Sequence, residues 1–229
     1  MGEFVECVEG ITEASKYLNF PVVSGNVSFY NETKDKGIKP TPAIGGVGLI
    51  KDYKNMLTMG FKKSGNIVYV IGKTEGHLDQ SLFARDILLE KKGPPPSINL
   101  FNEKNIGETL FKLFEQNLIL SCHDVSLGGI LTAVSKMCIK GKKGIQINPV
   151  KGLTNKFEYF FSEDQARYIV EISLNNLEKV NEILKKNSIH FDIFGTVHED
   201  SLSFGDDIFL PIEELTKTHT YWLKEYMNN

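Results

Sequence analysis

Cysteine is scarce in this chain, and its scarcity already excludes some classes of protein. Cys7, Cys122 and Cys138 are the only three among 229 residues, too few and too scattered for a disulfide framework or a Cys-x-x-Cys metal site. An odd number with no export pattern fits a reducing compartment, so a cytoplasmic protein without structural zinc is expected. No apolar run approaches the roughly 20 residues that span a bilayer, which argues against a membrane protein. An excess of charge of one sign is also lacking: 26 basic and 29 acidic residues leave a net −3. Neither nucleic acid nor an anionic membrane surface is therefore an expected partner. Proline is sparse, with eight residues in all, and three of them stand together in Gly93-Pro-Pro-Pro96, where they force an extended loop.

What is present suits an ordinary folded chain. A hydrophobic fraction of 41% over 229 residues supplies the core of one large or two small domains. Phe4, Val5, Val8, Ile11, Ala14 and Leu18 recur at helical spacing, which predicts an amphipathic helix over 3–19 that feeds a strand at Pro21. Ile44 to Ile50, Asn55 to Phe61 and Asn66 to Ile71 read as strands, the last an apolar run suited to a sheet covered on both faces. Helices are predicted over 79–91, around Ile106 to Phe114, from Ile130 to Met137, from Leu177 to Leu184 and after Pro211. Further strands are predicted at Leu118 to Cys122, Arg167 to Ser173, Phe191 to His198 and Leu202 to Phe204. Helices and strands interleave, so the class is α/β, or α+β if the sheet is largely antiparallel. The domain boundary is placed near residue 60, giving segments 1–59 and 60–229.

The chemistry concentrates in Pro21-Val-Val-Ser-Gly-Asn-Val-Ser-Phe-Tyr-Asn-Glu-Thr33. Gly25 lets a backbone approach a bulky anion, Asn26 offers a neutral oxygen to a hard cation such as Mg²⁺, and Ser28 adds a hydroxyl. Strand alternation puts Asn26 and Ser28 on one face, where both can address one ligand. The same Gly-Asn pair between β-formers also suits a plain hairpin turn.

A second cluster is His123-Asp-Val-Ser-Leu-Gly-Gly129 at a predicted strand-to-helix turn. Small residues there expose backbone N–H groups to an anion, or else Asp124 or Ser126 caps the helix. His123 beside Asp124 suggests a base with an orienting carboxylate, but strand neighbours point to opposite faces and no nucleophile accompanies them, which favours a buried, hydrogen-bonded histidine. Glu163, Asp164 and Arg167 fit either a charged active-site rim or a local ion pair and cap. His190, His198 and His219 have no ligand-like spacing and are expected at the surface.

Ser24 to Thr33, followed by Lys39-Pro-Thr-Pro-Ala-Ile-Gly-Gly-Val-Gly48, resembles the phosphoribosylformylglycinamidine synthase family, the large ATP-dependent subunit of a step of purine synthesis. Ser121 to Ile130, Phe160 to Tyr168 and Gly76 to Arg85 carry the resemblance along nearly the whole chain. It implies the C-terminal part of a duplicated aminoimidazole-ribonucleotide-synthetase-like fold, a mixed sheet packed with helices. Residues 1–59 would then be an incomplete piece of an ATP-binding half, and 60–229 a C-terminal synthetase-like domain. The chain is accordingly expected to be a truncated piece that cannot turn over alone.

The implied reaction joins glutamine-derived ammonia to formylglycinamide ribonucleotide at the expense of ATP, through an iminophosphate. Such chemistry relies on positioning and Mg²⁺ rather than a protein nucleophile. Carried across by motif, Gly25 contacts ATP, Asn26 ligates magnesium and Ser28 contacts the ribonucleotide, while the family's catalytic histidine, nucleotide lysine and acidic metal ligands fall outside the chain. No catalytic residue is assigned. The implied partners are the rest of the same enzyme, a glutaminase subunit and a small accessory subunit, with self-association through exposed apolar surface. The family usually has an acidic residue where this chain has Leu127, which weakens a metal role for that loop. Two alternatives stand beside this reading: a sister enzyme of the aminoimidazole ribonucleotide synthetase, selenophosphate or thiamine-phosphate type, and a non-catalytic docking module.

Overall fold

A computed structural model describes residues 2–28, 32–39, 41–50, 52–149, 155–206 and 208–228. The chain divides into two units, residues 1–55 and 56–229.

In the first unit, α1 (Gly2–Tyr17) precedes a two-residue hairpin formed by β1 (Glu32–Thr33) and β2 (Lys36–Gly37). Its turn residues Lys34 and Asp35 have φ of 51° and 61°, as a tight hairpin twist requires. None of the described residues of this unit is buried. Neither the run from Pro21 nor that from Ile44 to Ile50 is a strand, because among the described residues of the unit no partner strand lies beside either. Phe29, Tyr30, Asn31 and Pro40 of the N-terminal motif lie outside the described residues.

The second unit contains β3 (Ile67–Ile71), α2 (Leu82–Asp86), α3 (Leu100–Glu115), β4 (Ser121–Asp124), α4 (Gly129–Gly141) and β5 (Gly144–Ile147). It continues with α5 (Lys156–Phe161), β6 (Tyr168–Ile172), α6 (Leu177–Lys186), β7 (Phe191–His198), β8 (Ser201–Phe204), β9 (Ile208–Pro211) and α7 (Ile212–Asn228). Seven strands form one sheet in the order β4-β6-β3-β7-β5-β8-β9, antiparallel except for the β5–β8 pair. The mixed sheet with helices on both faces is the α+β form of the expected class.

Alternation in β3 explains the layering. Val68 and Val70 face one core with α4, α5, β5 and β8, while Tyr69 and Ile71 face a second core with α3 and α6. Each fully buried aliphatic side chain here contributes about 1.5–3 kcal/mol. The segment predicted as a strand at Asn55 to Phe61 is irregular after a short turn at Tyr53–Asn55. Both flanks of β3 are already taken by β6 and β7, so this segment crosses the end of α4 instead. A Cβ on Gly60 would meet Gly141 N at 2.7 Å, and one on Gly141 would meet Phe61 N at 2.4 Å, so the crossing needs both glycines. The helix predicted over 79–91 shrinks to α2 because Gln80 and Leu89, with φ of 61° and 57°, leave helical space on either side.

Glu171, in β6 with 0% exposure, is the polar anchor of the sheet. Its carboxylate accepts from Lys62 N at 2.7 Å, Lys63 N at 3.0 Å, Asn66 Nδ2 at 2.7 Å and Ser121 Oγ at 3.1 Å. Four donors let this charge stay buried and tie the approach to β3 onto β6 and β4. Glu171→Gln turns an N–H₂ toward two of those donors and is expected to cost about 2–4 kcal/mol, measured by urea unfolding of the 229-residue chain. An unchanged midpoint would contradict this role.

Candidate functional site

Gly25, Asn26 and Ser28 all lie exposed in a stretch without strand or hairpin. The hairpin reading of Gly25-Asn26 is therefore not what the chain adopts, and among the described residues of the first unit the hairpin turns at Lys34-Asp35. Gly25 has no φ in the left-handed region, and a Cβ there would meet nothing within 4 Å. The local backbone does not demand a glycine at this position. Among the described residues no group of three or more His, Cys, Asp or Glu side chains could hold a metal ion. Asn26 fits Mg²⁺ only as a single neutral oxygen ligand, compatible with an ion that keeps most of its water and draws further ligands from elsewhere.

In the second unit the polar chemistry gathers on the turn from Ser162 to Arg167. Asp164 accepts from three successive backbone N–H groups: Glu75 at 2.9 Å, Gly76 at 3.1 Å and His77 at 3.1 Å. A nest of this kind holds an anion, and here the protein fills it with its own carboxylate. Glu163 Oε1 accepts from Leu82 N and Gly128 N, each at 2.8 Å, so one oxygen serves the starts of both α2 and α4. Stacking of Phe83 on Phe157 and Phe161, at 5.4 and 5.1 Å between centroids, holds α2 against α5 beside this joint.

Arg167 completes the network with a side chain of 0% exposure. Its guanidinium donates to Thr74 Oγ1, Ser162 Oγ and the carbonyls of Ser162 and Asp164, with the Asp164 carboxylate 3.7 Å away. Burial pushes its pKa below the ordinary arginine value, and Asp164 opposes that shift. Glu163, Asp164 and Arg167 thus form the local ion pair and cap, and Asp164 also stands in the wall of a cavity.

The helix-start loop differs from both sequence readings. Neither Asp124 nor Ser126 caps α4, since Gly128 is its N-cap residue without a side-chain cap bond and Glu163, 35 positions downstream, takes the Gly128 N–H. Gly128 and Gly129, with φ of 83° and 71°, bring the chain so close to α5 that a Cβ on Gly129 would meet Phe160 O at 2.6 Å. An external anion at this N-terminus would compete with Glu163. Leu127 is 61% exposed and departs from the family pattern without leaving Gly128 unsatisfied.

His123 and Asp124 are joined, contrary to the opposite-faces argument: Nδ1 lies 3.0 Å from Asp124 Oδ1 at the end of edge strand β4, where the ladder stops. The ring is largely covered, and Nε2 is buried without a hydrogen-bond partner. His190, His198 and His219 are exposed. Burial pushes the Cys122 and Cys138 thiols up to about 12, so neither is a ready nucleophile.

Sequence reasoning missed a cavity of about 730 Å³ between the 73–79 loop, the start of α3 and the 164–166 turn. Its walls come from segments distant in sequence, and the Gly76 to Arg85 and Phe160 to Tyr168 motifs each supply part of them without revealing that they meet. Asp164→Ala would release three backbone N–H groups and leave Arg167 without its carboxylate. An expected loss of about 3–5 kcal/mol, with faster hydrogen exchange at Gly76 and His77, would confirm the clasp.

A mixed, mainly antiparallel sheet flanked by α3 and α6 on one face and α4 and α5 on the other, with an acidic turn closing its loops, defines a synthetase-type α/β domain. Residues 63–207 match the family described as AIR synthase related protein, C-terminal domain, and the chain belongs to that family. All 229 residues align at 67% identity with the phosphoribosylformylglycinamidine synthase subunit PurL of Pelagibacter ubique, covering 31% of that protein. The corresponding subunit of Bartonella bacilliformis is 38% identical over 229 residues, again 31% of its length. The chain therefore spans about a third of these relatives. Among solved structures, Thermotoga maritima PurL complexed with FGAR is similar with a TM-score of 0.58 and 22% identity, over 71% of this chain and 30% of that one. The same protein complexed with ATP gives 0.55 and 20%, over 71% and 27%. Likeness at this identity establishes the fold.

Proposed function

We propose that this chain supplies the C-terminal synthetase-like part of a phosphoribosylformylglycinamidine synthase. That enzyme uses ATP to convert formylglycinamide ribonucleotide and glutamine-derived ammonia to formylglycinamidine ribonucleotide in purine biosynthesis. The observation that carries this reading is 67% identity to a PurL subunit sustained over every residue of the chain. Solved T. maritima PurL complexes with ATP and with FGAR agree with the ligand classes.

Gly25 is proposed to lie against the nucleotide, where a bare backbone admits the phosphates. Asn26 would hold Mg²⁺ and Ser28 the ribonucleotide. Magnesium, when bound, neutralises charge passing between phosphate oxygens. The exposure of all three residues leaves them open to such ligands. Because relatives are about three times as long, with this chain covering 31% of them, turnover requires the remainder of the enzyme. The first unit agrees: Val23, Val47 and Leu49 are 92%, 96% and 91% exposed, an apolar surface that calls for a cover. The cover is proposed to be the rest of the same polypeptide or, in its absence, a second copy.

The assembled enzyme is proposed to work with a glutaminase subunit and a small accessory subunit, and PurLQS from T. maritima is among the solved structures of similar fold. Among the described residues no helix is long and apolar enough to cross a membrane, in keeping with a cytoplasmic enzyme.

Isothermal titration of the 229-residue chain with Mg-ATP tests the site assignment. Weak binding that falls by about tenfold in Asn26→Ala, the loss of one metal-ligand or charge-assisted contact, is expected. Absence of heat in the unmodified chain would remove the nucleotide assignment from Gly25 and Asn26 and favour a docking role.

A further inference from the structure

Residues 87–99 connect α2 to α3 without helix or strand, and Ile87 to Pro95 are all exposed. Among the described residues no backbone–backbone hydrogen bond engages Lys91 to Ile98. Pro94, Pro95 and Pro96 have no N–H to give, and their fixed φ makes the middle of the run a stiff arm. The run would drift off the body were it not for two side chains of the facing loop. His77 Nε2 lies 2.9 Å from the Pro94 carbonyl, and Gln80 Nε2 donates to the Gly93 carbonyl at 2.8 Å. A carbonyl only accepts, so His77 Nε2 carries the hydrogen.

Pro96, Ser97 and Ile98 form one wall of the 730 Å³ cavity, with Ile106 among the residues lining it. The two sides are held very differently. The 75–77 side is clamped by three N–H bonds to Asp164, whereas the proline arm is gripped by His77 and Gln80. The chain bends on either side of Lys91 and Lys92, where Leu89 and Gly93 have φ of 57° and 78°, and the arm is anchored at Glu90, whose N–H donates to Ala84 O, and at Asn99, the N-cap of α3. We propose that residues 87–99 are a latched lid over this cavity, with His77 and Gln80 as the latch. The cavity is half-open, with Lys73, Glu75, Ser97 and Ile98 of its lining exposed, and releasing the two bonds swings the stiff arm outward and widens its mouth, while the Asp164 side stays in place.

Two readouts on the 229-residue chain test the lid. In a Cys7→Ser, Cys122→Ser background, Ile106→Cys places a thiol at the cavity, and the buried Cys138 stays silent toward a small disulfide reagent. Combining His77→Ala with Gln80→Ala is expected to accelerate labelling of the introduced thiol by about tenfold, the shift that loss of two ordinary hydrogen bonds gives. Trypsin cleavage after Lys91 and Lys92 should rise in parallel while cleavage at lysines elsewhere holds steady. This second readout needs no introduced thiol and decides the matter if Ile106→Cys does not fold. His77→Gln, which retains a donor, should stay within about twofold of the unmodified chain. The lid is overturned if cleavage after Lys91 and Lys92 is unchanged in the double variant, or if cleavage rises equally at every lysine.

Discussion

Arg167 carries a guanidinium into the buried interior, and much of the second unit is arranged around that demand. A buried cation with five donors must find acceptors from the protein itself. Thr74, Ser162 and Asp164 supply them, which fixes the turn from Ser162 to Arg167 against the loop after β3. With the turn fixed, its neighbouring carboxylates point outward from one place and gather loops from three directions. Asp164 collects the 75–77 backbone, and Glu163 joins the starts of α2 and α4. The walls of the cavity follow from this, since the loop and the turn that line it are the ones the network holds.

The chain's own carboxylates also explain a feature that would mislead a search for phosphate sites. Successive N–H groups at a loop and at a glycine-rich helix start are the usual signature of anion binding. Here the signature is present, yet the anion is internal and covalently part of the fold. The ligand chemistry proposed for the first unit rests instead on the resemblance that singles out Gly25, Asn26 and Ser28, all three exposed.

Much of this was legible in the sequence. The periods of α3, α4 and α6 show through because each packs one face on a sheet, and the apolar run Ile67 to Ile71 announces a strand covered on both sides. Segments β5 and β9 were not read from the sequence, and each is a short strand with a proline at its end or two residues beyond it. Segment α5 was hidden by consecutive aromatics, Tyr159, Phe160 and Phe161, which blur a helical period. The strands read at Pro21 and Ile44 have the right composition but no neighbour, and strand propensity cannot supply a partner. At the candidate site, word-level resemblance found Gly25, Asn26 and Ser28. The function of Glu163 depended instead on atoms 81 and 35 positions away, which no local pattern encodes.

The topology of the sheet bears on how the chain is made. Ile67 to Ile71 is an interior strand, third of seven, but both of its neighbours, β6 and β7, lie about a hundred or more residues later. A ribosome adding about 5–20 residues per second leaves that apolar strand without its flanks for roughly 5–20 s. Through that interval a sticky five-residue segment must be shielded by nascent helices or by chaperones. Of the strands in this sheet, the one that waits longest for its neighbours is the one most at risk of going astray before the protein is finished.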